Sequence, residues 1–369
     1  MSKHIVIDAR IRRTSTGRYV DKLLEYLQPL DSPHRYTVLV EPDDPWQPSA
    51  DNVARQDCHY AQFSLNPLEQ IGFARQLYQL KADVVHFPMN QQPVLYRGTI
   101  VTSTLDLTML THTHKGAGNM AVFKIKQLGY RLLFWLSNKR SVRIITISRY
   151  VQKTLAEKYP FTKDKSRLTY CAVDPPNKLT PQAPKQQPQE FLLYVGRAFP
   201  HKNLQFAVEA FGKLKTTSNQ ALQFVIIGRG DYHQDVLRQW VNQQPFAADV
   251  IFTGFIPDEE LAWYYQHANA YVFPSVSEGF GLPGLEAMAH GCPVVSSDAT
   301  CLPEVYGDAA LYFDPLDTED IVAKLLQVIN NKTLRKDLVD KGYERIKQFS
   351  WQTMAEETLG VYQSVLEKS

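Results

Sequence analysis

The sequence predicts an α/β protein of two domains, each a mostly parallel sheet covered by helices on both faces. Short β-branched apolar runs alternate with helical patterns almost from end to end, the mark of strand–helix–strand units whose strands are buried on both sides. With 369 residues, 44% of them hydrophobic, the chain is long enough for two separately cored domains. A stretch of prolines and glutamines between Val173 and Glu190 has almost nothing to bury and marks the boundary.

In the first half, strands are predicted at residues 4–9, 36–40, 83–87, 99–102, 143–147 and 167–171, separated by helices such as 18–27 and 149–158. After the boundary the pattern restarts with strands at 191–195, 223–227, 250–253, 270–274 and 293–296. Past Asp314 it turns helical, over 318–330, 334–348 and 351–367. The expected division is a first domain over residues 1–175, a linker over 176–190 and a second domain over 191–349. The last helix, from about residue 350 to 369, is expected to cross back onto the first domain.

Forty basic against 38 acidic side chains leave a net charge of +2, so the overall balance calls for neither nucleic acid nor an anionic surface, and any basic site has to be local. The four cysteines (Cys58, Cys171, Cys292, Cys301) are widely spread and form no Cys-x-x-Cys pair. That spacing argues against a zinc site or a disulfide frame and fits a reducing compartment. The apolar run after Met1-Ser-Lys-His is too short for a signal peptide and no stretch approaches transmembrane length, so a cytoplasmic location is expected.

The segment richest in chemistry runs from Pro274 through Glu286, Ser-Val-Ser-Glu-Gly-Phe-Gly-Leu-Pro-Gly-Leu-Glu after the proline. A strand ends at Pro274, Glu278 follows in a Gly-rich loop, and Pro283 stands where the first helical position falls. A helix N-terminus then turns its free N–H groups toward whatever occupies the loop, a setting that favours an anion. Gly279 and Gly281 let the backbone approach that ligand closely. Glu286 lies about one turn into the helix, so the two carboxylates can grip opposite ends of one extended ligand. The alternative is a plain strand-loop-helix joint with two incidental glutamates.

A second constellation is Val195-Gly-Arg-Ala-Phe-Pro-His-Lys-Asn, in which a strand ends at Gly196 and a helix starts near Asn203. Arg197 and Lys202, five apart across that loop, can both point into a crevice at the carboxyl edge of the sheet, where open α/β folds bind ligands. Two solvated surface cations are the plainer reading. Gly228 (in Ile226-Ile-Gly-Arg-Gly-Asp) and Ile256 (in Phe252-Thr-Gly-Phe-Ile-Pro-Asp) stand at further strand ends and serve either the same pocket or a turn and the core.

These motifs resemble those of the retaining GT-B glycosyltransferases, family 4 in particular. The Glu278-x(seven)-Glu286 spacing matches, and the match continues through Cys292-Pro-Val-Val-Ser-Ser and Leu302-Pro-Glu-Val-Tyr-Gly-Asp-Ala-Ala-Leu-Tyr-Phe-Asp-Pro. The resemblance spans both halves and implies two Rossmann-like domains facing each other across a cleft that closes on a nucleotide sugar. It places Glu278 at the transferred sugar and Glu286 at the donor ribose. The backbone of Gly279, Phe280, Gly281 and Leu282 falls near the sugar hydroxyls and phosphate, with Gly196, Gly228 and Ile256 along the nucleotide. Arg197 and Lys202 inherit the diphosphate, whose charge grows as it leaves. The chain has no Asp-x-Asp, the usual carboxylate pair for a metal–diphosphate, so the expected transfer uses no metal and no cofactor beyond the nucleotide-sugar co-substrate.

In the first domain, Thr14-Ser-Thr-Gly-Arg-Tyr resembles the family's glycine loop, with Gly17 its one remaining glycine and Ser15 where a first glycine is common. Leu105 stands where family members often carry a histidine. Asp106 beside it is assigned to the acceptor site or to a helix N-cap, and His112 and His114 to compensation for that histidine or to bland loop positions. Residues 122–140 interleave bases with aromatic and aliphatic side chains. Such a segment fits a peripheral helix at the inner membrane face that delivers a lipid-linked acceptor, or an ordinary amphipathic helix packed on its sheet.

The expected activity is transfer of a hexose, GDP-mannose being the preferred donor, to a hydroxyl of a glycan or lipid-linked glycan. Configuration would be retained by a front-face route that needs no protein nucleophile. UDP-glucose or UDP-N-acetylglucosamine as donor, a sugar-nucleotide epimerase, and a non-catalytic nucleotide-sugar binder are the alternatives. A glycoside hydrolase using the two glutamates as acid and base has no use for a diphosphate clamp.

Overall fold

The computed structural model describes residues 2–14, 16–62, 66–111, 120–176, 180–217 and 221–367, with only the backbone described for Ala121, Val122 and Thr217. Ser15, His112 and His114 lie outside these residues. The elements run β1 (His4–Asp8), α1 (Gly17–Leu27), β2 (Arg35–Val40), β3 (Val53–Asp57), α2 (Pro67–Gln79), β4 (Val84–Phe87), β5 (Ile100–Thr104), α3 (Thr108–Thr111), α4 (Met120–Arg140), β6 (Arg143–Thr146), α5 (Arg149–Lys158) and β7 (Ser166–Leu168). They continue with β8 (Phe191–Val195), α6 (Leu204–Thr217), β9 (Gln223–Ile227), α7 (Tyr232–Val241), β10 (Val250–Gly254), α8 (Asp258–His267), β11 (Ala270–Phe273), α9 (Leu282–Ala289), β12 (Val294–Ser297), α10 (Leu302–Tyr306) and β13 (Ala310–Phe313). Three helices close the chain, α11 (Thr318–Asn330), α12 (Lys332–Ile346) and α13 (Trp351–Leu366).

Two compact units result, one of residues 1–107, 118–171 and 350–369, the other of residues 108–117 and 172–349. The first holds a seven-stranded sheet of order β3-β2-β1-β4-β5-β6-β7, the second a six-stranded sheet of order β10-β9-β8-β11-β12-β13, and every pairing in both is parallel. Central strands of parallel sheets are covered on both faces, which is why β1 and β11 are buried at every position. Phe191, Leu192, Leu193 and Tyr194 of β8 are likewise fully buried.

Several boundaries differ from the expected ones for physical reasons. The strand β3 was not predicted, because it is a polar edge strand, Val-Ala-Arg-Gln-Asp, that buries only its first residue. Predicted to run to residue 171, β7 stops at Leu168 on the opposite edge. The helix α9 begins at Leu282, which puts Pro283 second rather than first. The longer segment of the second unit starts at Ala172, and the proline-glutamine stretch lies along it. The Gln182 N–H donates to the Glu259 carbonyl at 3.0 Å, and Pro184 and Pro188 are buried.

The last helix belongs to the first unit. It starts on a Ser350 N-cap, whose hydroxyl accepts from the Thr353 N–H, and packs against α1 with Trp351, Met354, Thr358, Leu359 and Tyr362 buried. Each large apolar side chain buried in this way contributes about 2 kcal/mol. Among the described residues no helix is long and apolar enough to cross a membrane.

Candidate functional site

An open parallel sheet binds ligands at the carboxyl ends of its strands, where the strand order reverses. In the second unit the reversal falls between β8, which leads to β9 and β10 on one side, and β11, which leads to β12 and β13 on the other. The loops leaving β8 and β11 carry the residues singled out by sequence.

After β8 the ladder runs one residue further, the Gly196 N–H donating to the Ile227 carbonyl at 2.8 Å. The chain then makes one turn of 3-10 helix, Pro200–Lys202. Asn203 ends that turn in the left-handed region at φ 55°, held by its Nδ2 donating to the Pro315 carbonyl at 2.6 Å, and α6 follows. After β11, the Val276 N–H donates to the His201 carbonyl at 2.9 Å, which ties the two loops together. Ser297 Oγ donates to the Ser275 carbonyl at 2.6 Å. Glu278 is fixed from both sides of its peptide, its N–H donating to Thr300 Oγ1 at 3.3 Å and its carbonyl accepting from Cys301 Sγ at 3.4 Å.

This framework places Lys202 Nζ 2.6 Å from Glu278 Oε1, with the two side chains 21% and 12% exposed. A charge-assisted bond of that length, from two loops 76 residues apart in sequence, makes an ion pair at the strand-order reversal. The Lys202 ammonium also lies 5.8 Å over the Phe273 ring. Arg197 is exposed, its guanidinium 5.6 Å from the Phe199 ring and its carbonyl accepting from Tyr194 Oη at 3.0 Å. Glu286, half-buried on α9, accepts from Tyr265 Oη at 3.4 Å.

The structure therefore brings Gly196, Arg197, Lys202, Glu278, Gly279, Phe280, Gly281, Leu282 and Glu286 to one sheet edge, with Lys202 and Glu278 in direct contact. Gly228, at the end of β9, packs so tightly that a Cβ there would meet the Gly196 carbonyl at 2.2 Å, so strand-end packing alone accounts for this glycine. Ile256 follows β10 and is half-exposed. Phe280 turns its ring inward against Phe349, at 5.5 Å between centroids. Gly17 and Asp106 belong to the first unit. Gly17 sits where a Cβ would clash with the Ile11 carbonyl at 2.5 Å, and Asp106 is exposed on the loop after β5.

Sequence reasoning missed the residues that hold these loops from below: Tyr194, Tyr265, Thr300, Cys301 and Tyr306. For Tyr194 a signal was available, a phenol closing an otherwise apolar buried run, since a buried tyrosine usually finds a partner for its hydroxyl. Burial, reinforced by the Glu278 carboxylate, pushes the Tyr194 and Tyr306 phenols far above the ordinary tyrosine range, so both stay protonated donors. Among the described residues no group of three or more His, Cys, Asp or Glu is arranged to hold a metal ion.

Residues 16–176 match the family model described as Glycosyltransferase Family 4, and residues 177–345 the one described as Glycosyl transferases group 1. The chain belongs to glycosyltransferase family 4. This family member is 34% identical over 227 residues to O-antigen chain mannosyltransferase B of Escherichia coli, a match covering 59% of the chain and 60% of that protein. It is 32% identical over 194 residues to O-antigen chain mannosyltransferase RfbU of Salmonella typhimurium, covering 52% of each. The match thus spans little more than half the length of these relatives. Sucrose-phosphate synthase from Thermosynechococcus elongatus superposes at a TM-score of 0.78 with 18% identity and full coverage of both chains. WaaG, a glycosyltransferase involved in lipopolysaccharide biosynthesis, superposes at 0.72 with 15% identity, covering 96% of this chain and 98% of that one. At such identities the likeness establishes the fold, two Rossmann-like domains of the GT-B type.

Proposed function

We propose that this chain transfers a hexose from a nucleoside diphosphate sugar, GDP-mannose by preference, to a hydroxyl of a growing glycan or its lipid carrier, with retained configuration and without a metal ion. The observation that carries the reading is the Lys202–Glu278 ion pair at the strand-order reversal, beside the N-terminus of α9. The names of the relatives, O-antigen chain mannosyltransferases, supply the preference for mannose and for a surface-glycan acceptor.

In this reading Glu278 faces the sugar, Glu286 the ribose, and Arg197 with Lys202 the diphosphate. Nucleotide contacts come from Gly196, Gly228 and Ile256, and backbone contacts from Gly279 to Leu282. Gly17 is assigned to the donor and Asp106 to the acceptor. The bond from the anomeric carbon to the diphosphate oxygen breaks and a bond from the acceptor oxygen to that carbon forms on the same face. The acceptor's proton passes to the departing phosphate oxygen. An arriving diphosphate competes with Glu278 for the Lys202 ammonium, so donor binding frees the carboxylate to face the positive charge that develops on the sugar.

Calorimetric titration of the purified chain with GDP-mannose, UDP-glucose and UDP-N-acetylglucosamine, each with and without EDTA, tests the reading. GDP-mannose is expected to bind tightest and EDTA to change nothing. Failure of every nucleotide sugar to bind sinks the transferase reading, and loss of binding in EDTA sinks metal independence. Isomerised donor in the absence of acceptor would identify an epimerase instead.

A peripheral membrane contact is part of the proposal. The helix α4 carries Lys124, Lys126, Arg131, Lys139 and Arg140 and no acidic residue, while Ile125, Leu128 and Leu132 are 71%, 71% and 55% exposed on it. Cations flanking exposed aliphatic side chains suit an anionic bilayer surface. Sedimentation with phosphatidylglycerol vesicles but not with phosphatidylcholine vesicles is expected. No sedimentation with either removes this part of the reading.

A further inference from the structure

Three tyrosines lie beneath the candidate site, and each hydroxyl ends on a different segment of it. Tyr194 of β8 donates to the Arg197 carbonyl at 3.0 Å and Tyr306 at the end of α10 to the Gly281 carbonyl at 2.6 Å, while the Tyr265 hydroxyl of α8 lies 3.4 Å from both the Glu286 carboxylate and the Pro283 carbonyl. All three rings are essentially fully buried. They arise from three elements with no sequence relation to one another, so their convergence is a property of the fold.

Tyr306 makes the strongest case. Gly281 takes φ +94°, a conformation open to glycine and strained for other residues. A Cβ at Gly281 would lie 2.5 Å from the Tyr306 hydroxyl oxygen, and one at Gly284 would lie 2.3 Å from its ring, so these two glycines make room for this phenol. The bond does more than fill space. A peptide unit is planar and trans, so its C=O and the following N–H point in opposite directions. The Gly281 carbonyl accepts both this hydroxyl and, at 3.2 Å, the Gly284 N–H, so Tyr306 reinforces the first turn of α9 in keeping the Leu282 N–H, the first of the helix, turned away from the core. That N–H has no partner within the helix and is among those available to an anion.

We infer that Tyr306 is a positioning residue for the diphosphate end of the site, aiming the first amide of α9, and that Tyr265 does the same for Glu286 at the ribose end. The inference rests on the donor-site reading above and divides it into two mechanically separate halves. A hydroxyl under the Gly281 carbonyl governs contacts to the distal phosphate. A hydroxyl on the Glu286 carboxylate governs contacts to the sugar ring of the nucleoside.

The test compares GMP with GDP, or UMP with UDP if the chain prefers uridine, by calorimetry on the full chain and on Tyr306→Phe and Tyr265→Phe. Both substitutions keep the ring and remove one oxygen, and thermal unfolding confirms that each variant folds. Tyr306→Phe is expected to weaken the diphosphate about tenfold while leaving the monophosphate within about twofold of the native chain. Tyr265→Phe is expected to weaken both nucleotides by one common factor of about tenfold. Overall loosening of the fold would lower both affinities together in both variants, and that result overturns the inference. Diphosphate affinity unchanged in Tyr306→Phe overturns it equally. Should the native chain bind no nucleoside diphosphate, the donor-site reading fails first, a failure visible before any variant is made, and the inference falls with it.

Discussion

The two sheets reverse their strand order in the same way, beside β1 in the first unit and beside β8 in the second, yet the side chains at the two reversals differ in kind. At the end of β1, Asp8 accepts from both Nε and Nη2 of Arg10 at 2.7 Å, and the two side chains are 6% and 2% exposed. The guanidinium also donates to the Tyr60 carbonyl at 2.8 Å and stacks 4.0 Å over Phe73. At β4, the His86 ring nitrogens lie 2.7 Å from Tyr362 Oη of α13 and 2.8 Å from Ser103 Oγ of β5, which in turn lies 3.0 Å from Tyr19 Oη of α1. These six side chains find their polar partners inside the unit. In the second unit the Lys202–Glu278 pair is several times more exposed and Arg197 stands in solvent. Topology supplies a crevice in both, and the side chains decide whether it closes on itself or is left for a ligand.

That contrast is broken or sharpened by substituting one ion pair from each reversal. Arg10→Ala strands the Asp8 carboxylate in a dry environment and is expected to cost about 3–5 kcal/mol of stability. Urea unfolding measures it, and a loss under about 1 kcal/mol would mean that water reaches Asp8 and that this reversal is not closed. Lys202→Ala and Glu278→Gln are expected to leave urea stability nearly unchanged and to lower transfer at least about a hundredfold, equivalent to about 2.7 kcal/mol in the barrier. Native turnover by Lys202→Ala would remove the ammonium from the leaving-group role.

The second reversal was far more legible in the sequence than the first. Glycines, a proline near a helix start and two glutamates eight apart announce a loop built for a ligand, and the strand-loop-helix they imply is the one found. What holds it could not be read. Thr300, Cys301 and Tyr306 reach Glu278 and Gly281 only through tertiary packing, over 22 to 25 residues of chain. Nothing local in Leu302-Pro-Glu-Val-Tyr marks its phenol as a support for another loop. The Asp8–Arg10 pair is close in sequence, but a short charged pair after a strand looks like solvent-exposed turn chemistry until burial is known. Polarity hid β3 for the same reason, since an edge strand need not show the apolar run that betrays a central one. The docking of α13 was expected from its place in the chain, whereas the His86–Tyr362 contact that anchors it joins residues 276 apart.

The anchor supplies the most discriminating effect. Burial pushes the His86 imidazole down to about 3 from an ordinary value of 6.5, so the ring is neutral in the folded chain and protonated in the unfolded one between those two pH values. The unfolded state then binds the extra proton, and stability falls as pH drops through that window, by at most about 1.4 kcal/mol per pH unit from this ring. Above 6.5 the contribution is complete and flat. Burial also lowers His4, and that ring adds to the same slope. His86→Gln is therefore expected to show a shallower loss of stability between pH 6.5 and pH 4 than the native chain. Tyr362→Phe, which leaves one buried ring nitrogen without its hydroxyl partner, is expected to cost about 1–2 kcal/mol at pH 7. If His86→Gln follows the native pH slope, the ring takes up its proton in the folded state and water reaches β4, in which case the first reversal is as open as the second and the distinction between them fails.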